Sequence, residues 1–91
     1  MKPLQKNWSV YIIEADDHSL YTGITTDVER RFQEHLEGKK GARYFNGRKP
    51  SKLVYQEPGH DRSSASQREY EIKQMSRDSK IQLISGQLDS S

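Results

Sequence analysis

The sequence predicts a small α/β domain of the α+β type, in which helices flank a three-stranded antiparallel sheet in the order β-β-α-α-β-α. Three observations predict this class. Two segments rich in β-branched and aromatic residues follow each other closely, apolar residues then recur every four positions, and a third short strand precedes a further helix. A strand that follows helices has to return to the first two strands, so the helices cover the sheet.

The first two strands are predicted at residues 8–14 and 20–24, where tyrosine, valine and isoleucine are concentrated. A turn-forming cluster of aspartate, histidine and serine at residues 16–19 separates them. A connection this short joins neighbouring strands as an antiparallel hairpin. The hairpin is therefore the expected start of the sheet.

The first helix is predicted from Val28, Phe32 and Leu36, which recur every four residues and form one apolar stripe. Asp27 is a candidate N-cap and Gly38 a candidate end. A short helix, a third strand ending near Pro58, a longer helix and a last short helix are expected at residues 42–45, 53–55, 64–76 and 80–84. The expected core residues are Trp8, Val10, Ile12, Val28, Phe32, Leu36, Val54 and Ile72.

The chain of 91 residues has the length of one small domain. We expect that domain over residues 8–85, after a lead-in of residues 1–7 and before a flexible tail of residues 86–91. The chain contains no cysteine, which excludes disulfides and thiolate metal sites. No apolar run reaches the length of a membrane span or a signal peptide, and together with the lack of cysteine this favours the cytoplasm. We also expect a monomer.

The charge distribution is uneven although the net charge is only +2. Residues 30–52 contain eight basic and two acidic side chains, a local net charge of +6. Such a block is typical of a surface that binds a polyanion, but it is equally compatible with a solubilising surface. Beside Arg31, the candidate nucleic-acid contacts are Arg30, Lys39, Lys40, Arg43, Arg48, Lys49 and Lys52.

Two tyrosine-bearing tripeptides lie on the two predicted strands of the hairpin, Val10-Tyr11-Ile12 and Tyr21-Thr22-Gly23. The run from Thr25 to Phe32, then His35, and much later Glu69 on a helix complete an ordered set. In order and spacing this set resembles the GIY-YIG family of metal-dependent nucleases, and most closely its small, single-domain bacterial branch. The resemblance covers nearly the whole chain and implies Tyr11, Tyr21, Arg31, His35 and Glu69 as catalytic residues.

Helix geometry distinguishes the two adjacent arginines. Arg31 and His35 lie at the rim of the apolar stripe, whereas Arg30 points to the solvated face. By resemblance, Arg31 binds the scissile phosphate and His35 transfers a proton or contacts the phosphate. The alternatives are a surface Arg31 that pairs with an acidic neighbour and a half-buried structural His35.

Tyr11, Tyr21 and Gly23 all have odd numbers. In a hairpin whose paired residue numbers sum to an even value, they therefore lie on one face. By resemblance, Tyr11 orients or deprotonates the attacking water and Tyr21 hydrogen-bonds the phosphate. The alternative is that both are ordinary aromatic residues covering the core. Gly23 would allow a close approach of backbone or substrate, or would mark a β-bulge.

Glu69 is the implied metal ligand, for Mg²⁺ or Mn²⁺. Magnesium is often held by one or two carboxylates together with water and phosphate oxygens. The alternative is a helical ion pair between Glu69 and Lys73. Two positions depart from the pattern of some family members: Ile24 stands where they have lysine, and Ile81 where they have asparagine.

The resemblance implies a metal-dependent endonuclease that hydrolyses phosphodiester bonds of DNA or RNA. The alternative is a catalytically weak or inactive nucleic-acid-binding module with the same fold. The chain is too short for a separate targeting domain. Specificity would therefore come from nucleic-acid shape or from a protein partner, or it would be absent.

Overall fold

The computed structural model describes residues 6–38, 45 and 47–89. Its strands are β1 (Trp8–Ala15), β2 (Leu20–Thr25) and β3 (Pro50–His60), and its helices are α1 (Val28–Glu37), α2 (Arg62–Gln74) and α3 (Arg77–Asp89). The sheet order is β2-β1-β3, and both pairings are antiparallel. The predicted three-stranded sheet flanked by helices is confirmed.

Two elements extend beyond their expected bounds. Strand β3 continues through Pro58 and Gly59 because a register shift between Trp8 and Val10 accommodates an extra residue on β3, and Gly59 takes a positive φ of 86° there. Helix α3 runs to Asp89, so the expected tail from residue 86 is helical up to that point. Except for Phe45, the expected helix at residues 42–45 lies outside the described residues.

Local capping sets where the helices begin and end. The Asp27 side chain accepts from the backbone N–H of Arg30 at the start of α1, and Gly38 ends that helix in the left-handed conformation. Asp61 and Ser64 form a reciprocal capping box at the start of α2. Both N-caps follow from short polar residues in the sequence.

The central strand β1 is buried on both faces. On one face, Val10 and Ile12 pack with Ala65 and Ile72 of α2. On the other, Tyr11 and Ile13 pack with Val28 of α1 and with the partly buried side chains of Tyr21, Phe32, Phe45 and Leu53. Helix α1 therefore covers one face of the sheet, and α2 covers the opposite face.

The expected core is confirmed at Val10, Ile12, Val28 and Ile72, which are buried, while Trp8, Phe32 and Val54 pack at its edge. The prediction for Leu36 is wrong, since this side chain is 47% exposed. A helix turns about 100° per residue, so the Val28-Phe32-Leu36 row drifts around α1 and His35 returns to the line of Val28. His35 fills the inward position that Leu36 was expected to take. In the part of the chain that the structure describes, no helix is long and apolar enough to cross a membrane.

Candidate active site

Four of the five predicted catalytic residues meet on the face of the sheet that α1 covers. The Tyr11 hydroxyl lies 3.1 Å from Nε2 of His35, and it also hydrogen-bonds the side chains of Arg31 and Tyr21. The ring centroids of Tyr21 and His35 are 5.4 Å apart, and those of Tyr11 and Tyr21 are 6.2 Å apart. We call Tyr11, Tyr21, Arg31 and His35 the site cluster.

The hairpin register explains why both tyrosines belong to this cluster. Tyr11 pairs with Gly23 and Ile13 pairs with Tyr21, so Tyr11 and Tyr21 are diagonal neighbours on one face. A β-carbon on Gly23 would lie 2.6 Å from the Tyr11 hydroxyl oxygen. Gly23 therefore makes room for the Tyr11 phenol. The ladder from β1 to β2 pairs continuously through Gly23, so this glycine does not mark a bulge.

The structure separates the two arginines as helix geometry predicted. Arg31 is 25% exposed and donates to the Tyr11 hydroxyl on its inner side, whereas Arg30 is 60% exposed. Arg31 also donates from Nη1 to Oε1 of Glu34 at 3.0 Å. The alternative that Arg31 pairs with an acidic neighbour is therefore confirmed, and phosphate binding by Arg31 stays a prediction.

His35 is a neutral imidazole at physiological pH. Its side chain is only 2% exposed, and burial together with the positive charge of Arg31 lowers its pKa to about 4. Its Nδ1 atom is buried without a hydrogen-bond partner among the described residues. A neutral ring whose Nε2 faces a phenol can accept a proton from it.

The Tyr11 phenol is protonated in the free protein. Burial raises its pKa, and the neighbouring Tyr21 raises it further, while Arg31 acts in the opposite direction. Tyr11 is therefore not a ready phenolate base. Any proton that it takes from water has to be matched by release of its own proton to a neighbour such as His35.

Phe45 is a member of the site environment that the sequence analysis missed. Its ring centroid lies 4.8 Å from that of His35 and 5.2 Å from that of Tyr21. It packs against these rings from the segment between α1 and β3. An aromatic residue within an otherwise basic and glycine-rich stretch was the available signal.

Glu69 lies on α2, on the opposite face of the sheet from α1. Its Oε2 atom lies 3.4 Å from Nζ of Lys73, and the side chain is 24% exposed. Around α2, Glu69 and Arg68 lie on opposite sides of the buried Ala65–Ile72 stripe, and Arg68 bonds Glu57 of β3. Four predicted residues are brought together, and the convergence of Glu69 with them stays a prediction.

The chemistry of the donors limits how a metal ion could be held. Among residues 6–38, 45 and 47–89, no three His, Cys, Asp or Glu side chains are grouped so as to hold one. A magnesium ion at Glu69 would therefore depend on water and phosphate oxygens for most of its ligands. Such coordination is compatible with one partly exposed carboxylate and does not require a site that is formed by protein ligands alone. Ile24 packs into the core on the α2 face, and Ile81 is exposed on α3.

The basic residues that the structure describes lie in different parts of the fold. Arg48 lies 3.6 Å from Asp17 and donates to Ser19, which ties it to the β1–β2 turn. Lys49 is exposed beside it. Lys52 pairs with Glu14 and lines a cavity with α3, away from the site cluster. Lys39, Lys40 and Arg43 lie outside the described residues.

Residues 7–82 match the family described as the GIY-YIG catalytic domain. The chain belongs to the GIY-YIG family. A UPF0213 protein of Desulfotalea psychrophila is 53% identical over 77 residues, which is 85% of this chain and 70% of the relative. The UPF0213 protein YhbQ of Escherichia coli is 47% identical over 77 residues, 85% of this chain and 76% of the relative.

A solved structure supports the same assignment. The solution NMR structure of the UPF0213 protein BH0048 from Bacillus halodurans matches with a TM-score of 0.55 and 47% sequence identity. The match covers 86% of this chain and 82% of that protein. This GIY-YIG chain is thus similar to small UPF0213 proteins over most of its length.

Proposed function

We propose that this GIY-YIG domain is a divalent-metal-dependent endonuclease that hydrolyses phosphodiester bonds of DNA or RNA. The observation that carries the proposal is the hydrogen-bonded site cluster, in which a phenol contacts an arginine and a neutral histidine from two other elements. A binding surface alone does not require a buried proton acceptor next to a buried phenol. Family membership adds independent support, because GIY-YIG domains are typically nucleases.

Arg31 is the phosphate-binding member of the cluster. Arg31 and Tyr21 are partly exposed, whereas Tyr11 and His35 are buried, so a substrate phosphate meets Arg31 and Tyr21 first. The planar guanidinium can donate two parallel hydrogen bonds to phosphate oxygens. Because it is held in place before substrate arrives, it stabilises developing charge in the transition state without reorganisation.

Tyr11 and His35 form a proton path for the attacking water. Arg31 donates to the Tyr11 oxygen, and the neutral Nε2 of His35, 3.1 Å from that oxygen, is the acceptor that we assign to the Tyr11 proton. As water attacks phosphorus, its proton passes to Tyr11 while the Tyr11 proton passes to His35. The bond from phosphorus to the leaving oxygen breaks, and that oxygen departs with the electron pair. This relay avoids a free phenolate, which burial disfavours.

Glu69 is the residue that would hold Mg²⁺ or Mn²⁺. When bound, such an ion supplies Lewis-acid stabilisation of charge on the phosphate and leaving oxygens. The protein itself would supply a single, partly exposed carboxylate on α2. Phosphate oxygens of the substrate would supply further ligands of the ion, so we expect metal affinity to depend on bound nucleic acid.

A nucleic-acid-binding module without hydrolysis is the second candidate. The observation that favours it is the pairing of Glu69 with Lys73, which is the ordinary arrangement of a helical surface. In either case specificity would come from nucleic-acid shape or from a protein partner.

Nicking of mixed DNA and RNA substrates, with and without Mg²⁺ or Mn²⁺, separates the two candidates when wild type is compared with Glu69→Ala. The endonuclease gives metal-dependent products that Glu69→Ala does not form. If both proteins bind nucleic acid equally well and neither forms cleavage products, the endonuclease is excluded and the binding module is favoured.

A further inference from the structure

One carboxylate on α1 bridges the two adjacent arginines. Glu34 accepts from Nη1 of Arg31 through Oε1 at 3.0 Å, while its Oε2 lies 3.9 Å from Nε of Arg30. The three residues occupy the i, i+1 and i+4 positions of one helix, so these contacts follow from the spacing. Glu34 is therefore within ion-pair distance of an arginine of the site cluster and of one outside it.

The contact with Glu34 fixes Arg31 from its outer side. The Tyr11 hydroxyl accepts from the same guanidinium on the inner side. Held between a phenol and a carboxylate, Arg31 loses much of the rotational freedom of a long side chain. Such fixation is what allows a charged group to act in a transition state without rearrangement.

The same contact also obstructs phosphate binding. A carboxylate and a phosphate present similar pairs of acceptor oxygens to a guanidinium, so they compete for its N–H groups. The carboxylate and a phosphate bound to the same guanidinium also repel each other, because both are negatively charged. A phosphate therefore binds Arg31 more tightly if the Glu34 side chain moves away.

We propose that Glu34 is a positioning residue whose carboxylate holds Arg31 in the free protein. When a substrate phosphate binds Arg31, this carboxylate exchanges its ion pair with Arg31 for one with Arg30. Arg30 suits this role because it is mostly exposed and its Nε already lies 3.9 Å from Glu34. A rotation of the Glu34 side chain completes the exchange without movement of the helix. The inference rests on the proposed function, since the phosphate in question is that of a nucleic acid.

The exchange is tested first without catalysis. Inorganic phosphate is titrated into ¹⁵N-labelled protein in EDTA at constant ionic strength, and the Nε–Hε signal of Arg31 is followed by NMR. Glu34→Gln should bind phosphate about fivefold more tightly than wild type, a change of about 1 kcal/mol, because the repulsion between the carboxylate and the phosphate is removed. The matched control is Glu29→Gln, which removes the same charge from an exposed position of the same helix. Equal affinities for the two variants would overturn the exchange.

A double-mutant cycle tests the part of Arg30. Arg30→Ala should weaken phosphate binding at Arg31 in the wild-type background, because Glu34 then loses the arginine that lies 3.9 Å away and would take over its ion pair. The same substitution in the Glu34→Gln background should have a much smaller effect. Additive effects of the two substitutions would contradict the exchange.

Cleavage of duplex DNA tests the positioning role. Glu34→Ala should lower kcat by about tenfold or more, because the guanidinium loses its outer contact. Glu34→Gln should restore most of kcat, since the amide oxygen still accepts from Nη1. Equal kcat values for the two variants would overturn the positioning role. If no variant cleaves but the phosphate titrations follow the expected pattern, the endonuclease proposal fails and the exchange stands.

Discussion

The hydroxyl oxygen of Tyr11 lies 3.1 Å from Nε2 of His35, although the residues are 24 positions apart and both are buried. The contact joins the central strand to the helix that covers it. It also places a phenol and a neutral imidazole beneath the partly exposed Arg31. The rigid interior of the domain, and not a loop, therefore aligns the groups that we assign to proton transfer.

Tyr11→Phe should separate chemistry from folding. Loss of the hydroxyl leaves His35 Nε2 without this partner, which should lower the free energy of unfolding by about 1–3 kcal/mol. Hydrolysis should fall by about 10²-fold or more, because the proton path is broken. Denaturant unfolding measures the stability, cleavage assays measure the rate, and circular dichroism checks that the fold is retained. Tyr55→Phe is the control, since it deletes a hydroxyl that bonds Glu57 outside the site cluster. Wild-type cleavage by Tyr11→Phe would exclude the phenol from the chemistry.

Gly23→Ala should displace the Tyr11 ring. The new β-carbon would lie 2.6 Å from the hydroxyl oxygen and 2.7 Å from the ring carbon that bears it. We expect a stability loss of about 1–3 kcal/mol and a large loss of cleavage. Gly86→Ala on α3 is the control, because its β-carbon would meet no atom within 4 Å. Thermal unfolding and cleavage rates are measured for both variants. An unchanged cleavage rate for Gly23→Ala would show that the close approach of the Tyr11 phenol to Gly23 is not needed for cleavage.

Stability should rise with pH between about pH 4 and pH 6.5 because of His35. The folded pKa is about 4 and the ordinary value is 6.5, so in this range the unfolded chain binds more protons than the folded protein. The contribution is fully present above pH 6.5 and is lost as pH falls toward 4, by at most about 3 kcal/mol. Denaturant unfolding of wild type and His35→Gln across this range measures it. A slope that survives in His35→Gln would contradict the assignment.

Much of this arrangement is predictable from local patterns. Alternation along β1 and β2 places Tyr11 and Tyr21 on one face, and helix periodicity separates Arg31 from Arg30. Leu36 shows where such patterns fail, because a four-residue row drifts around the helix and packing against the sheet selects His35 instead.

Long-range packing explains what the sequence did not predict. Gln87 bonds both the backbone N–H and the carbonyl of Gln56 on the outer edge of β3, which holds the end of α3 where a tail was expected. The packing of Phe45 on His35 likewise depends on contacts between distant segments. Neither contact leaves a periodic signal in the sequence.

Glu69→Gln should abolish metal-dependent hydrolysis and keep nucleic-acid affinity. The substitution removes the carboxylate that would hold the ion and also removes negative charge that repels phosphate. Glu71→Gln is the control on the same helix, since Glu71 is exposed and pairs with Arg68. Binding in EDTA and cleavage in Mg²⁺ are measured for both variants. Full cleavage by Glu69→Gln would remove this residue from the metal site.

Cleavage by wild type, Arg31→Ala and Arg30→Ala, with Mg²⁺ or Mn²⁺ and both DNA and RNA substrates, tests the central claim most directly. The arginines are adjacent and carry the same charge, but only Arg31 contacts the Tyr11 hydroxyl in the site cluster. We predict metal-dependent nicking by wild type, a loss of about 10²–10³-fold in rate for Arg31→Ala, and weaker binding with retained cleavage for Arg30→Ala. No nicking by wild type under any of these conditions, or equal and small effects of the two substitutions, would contradict the endonuclease account.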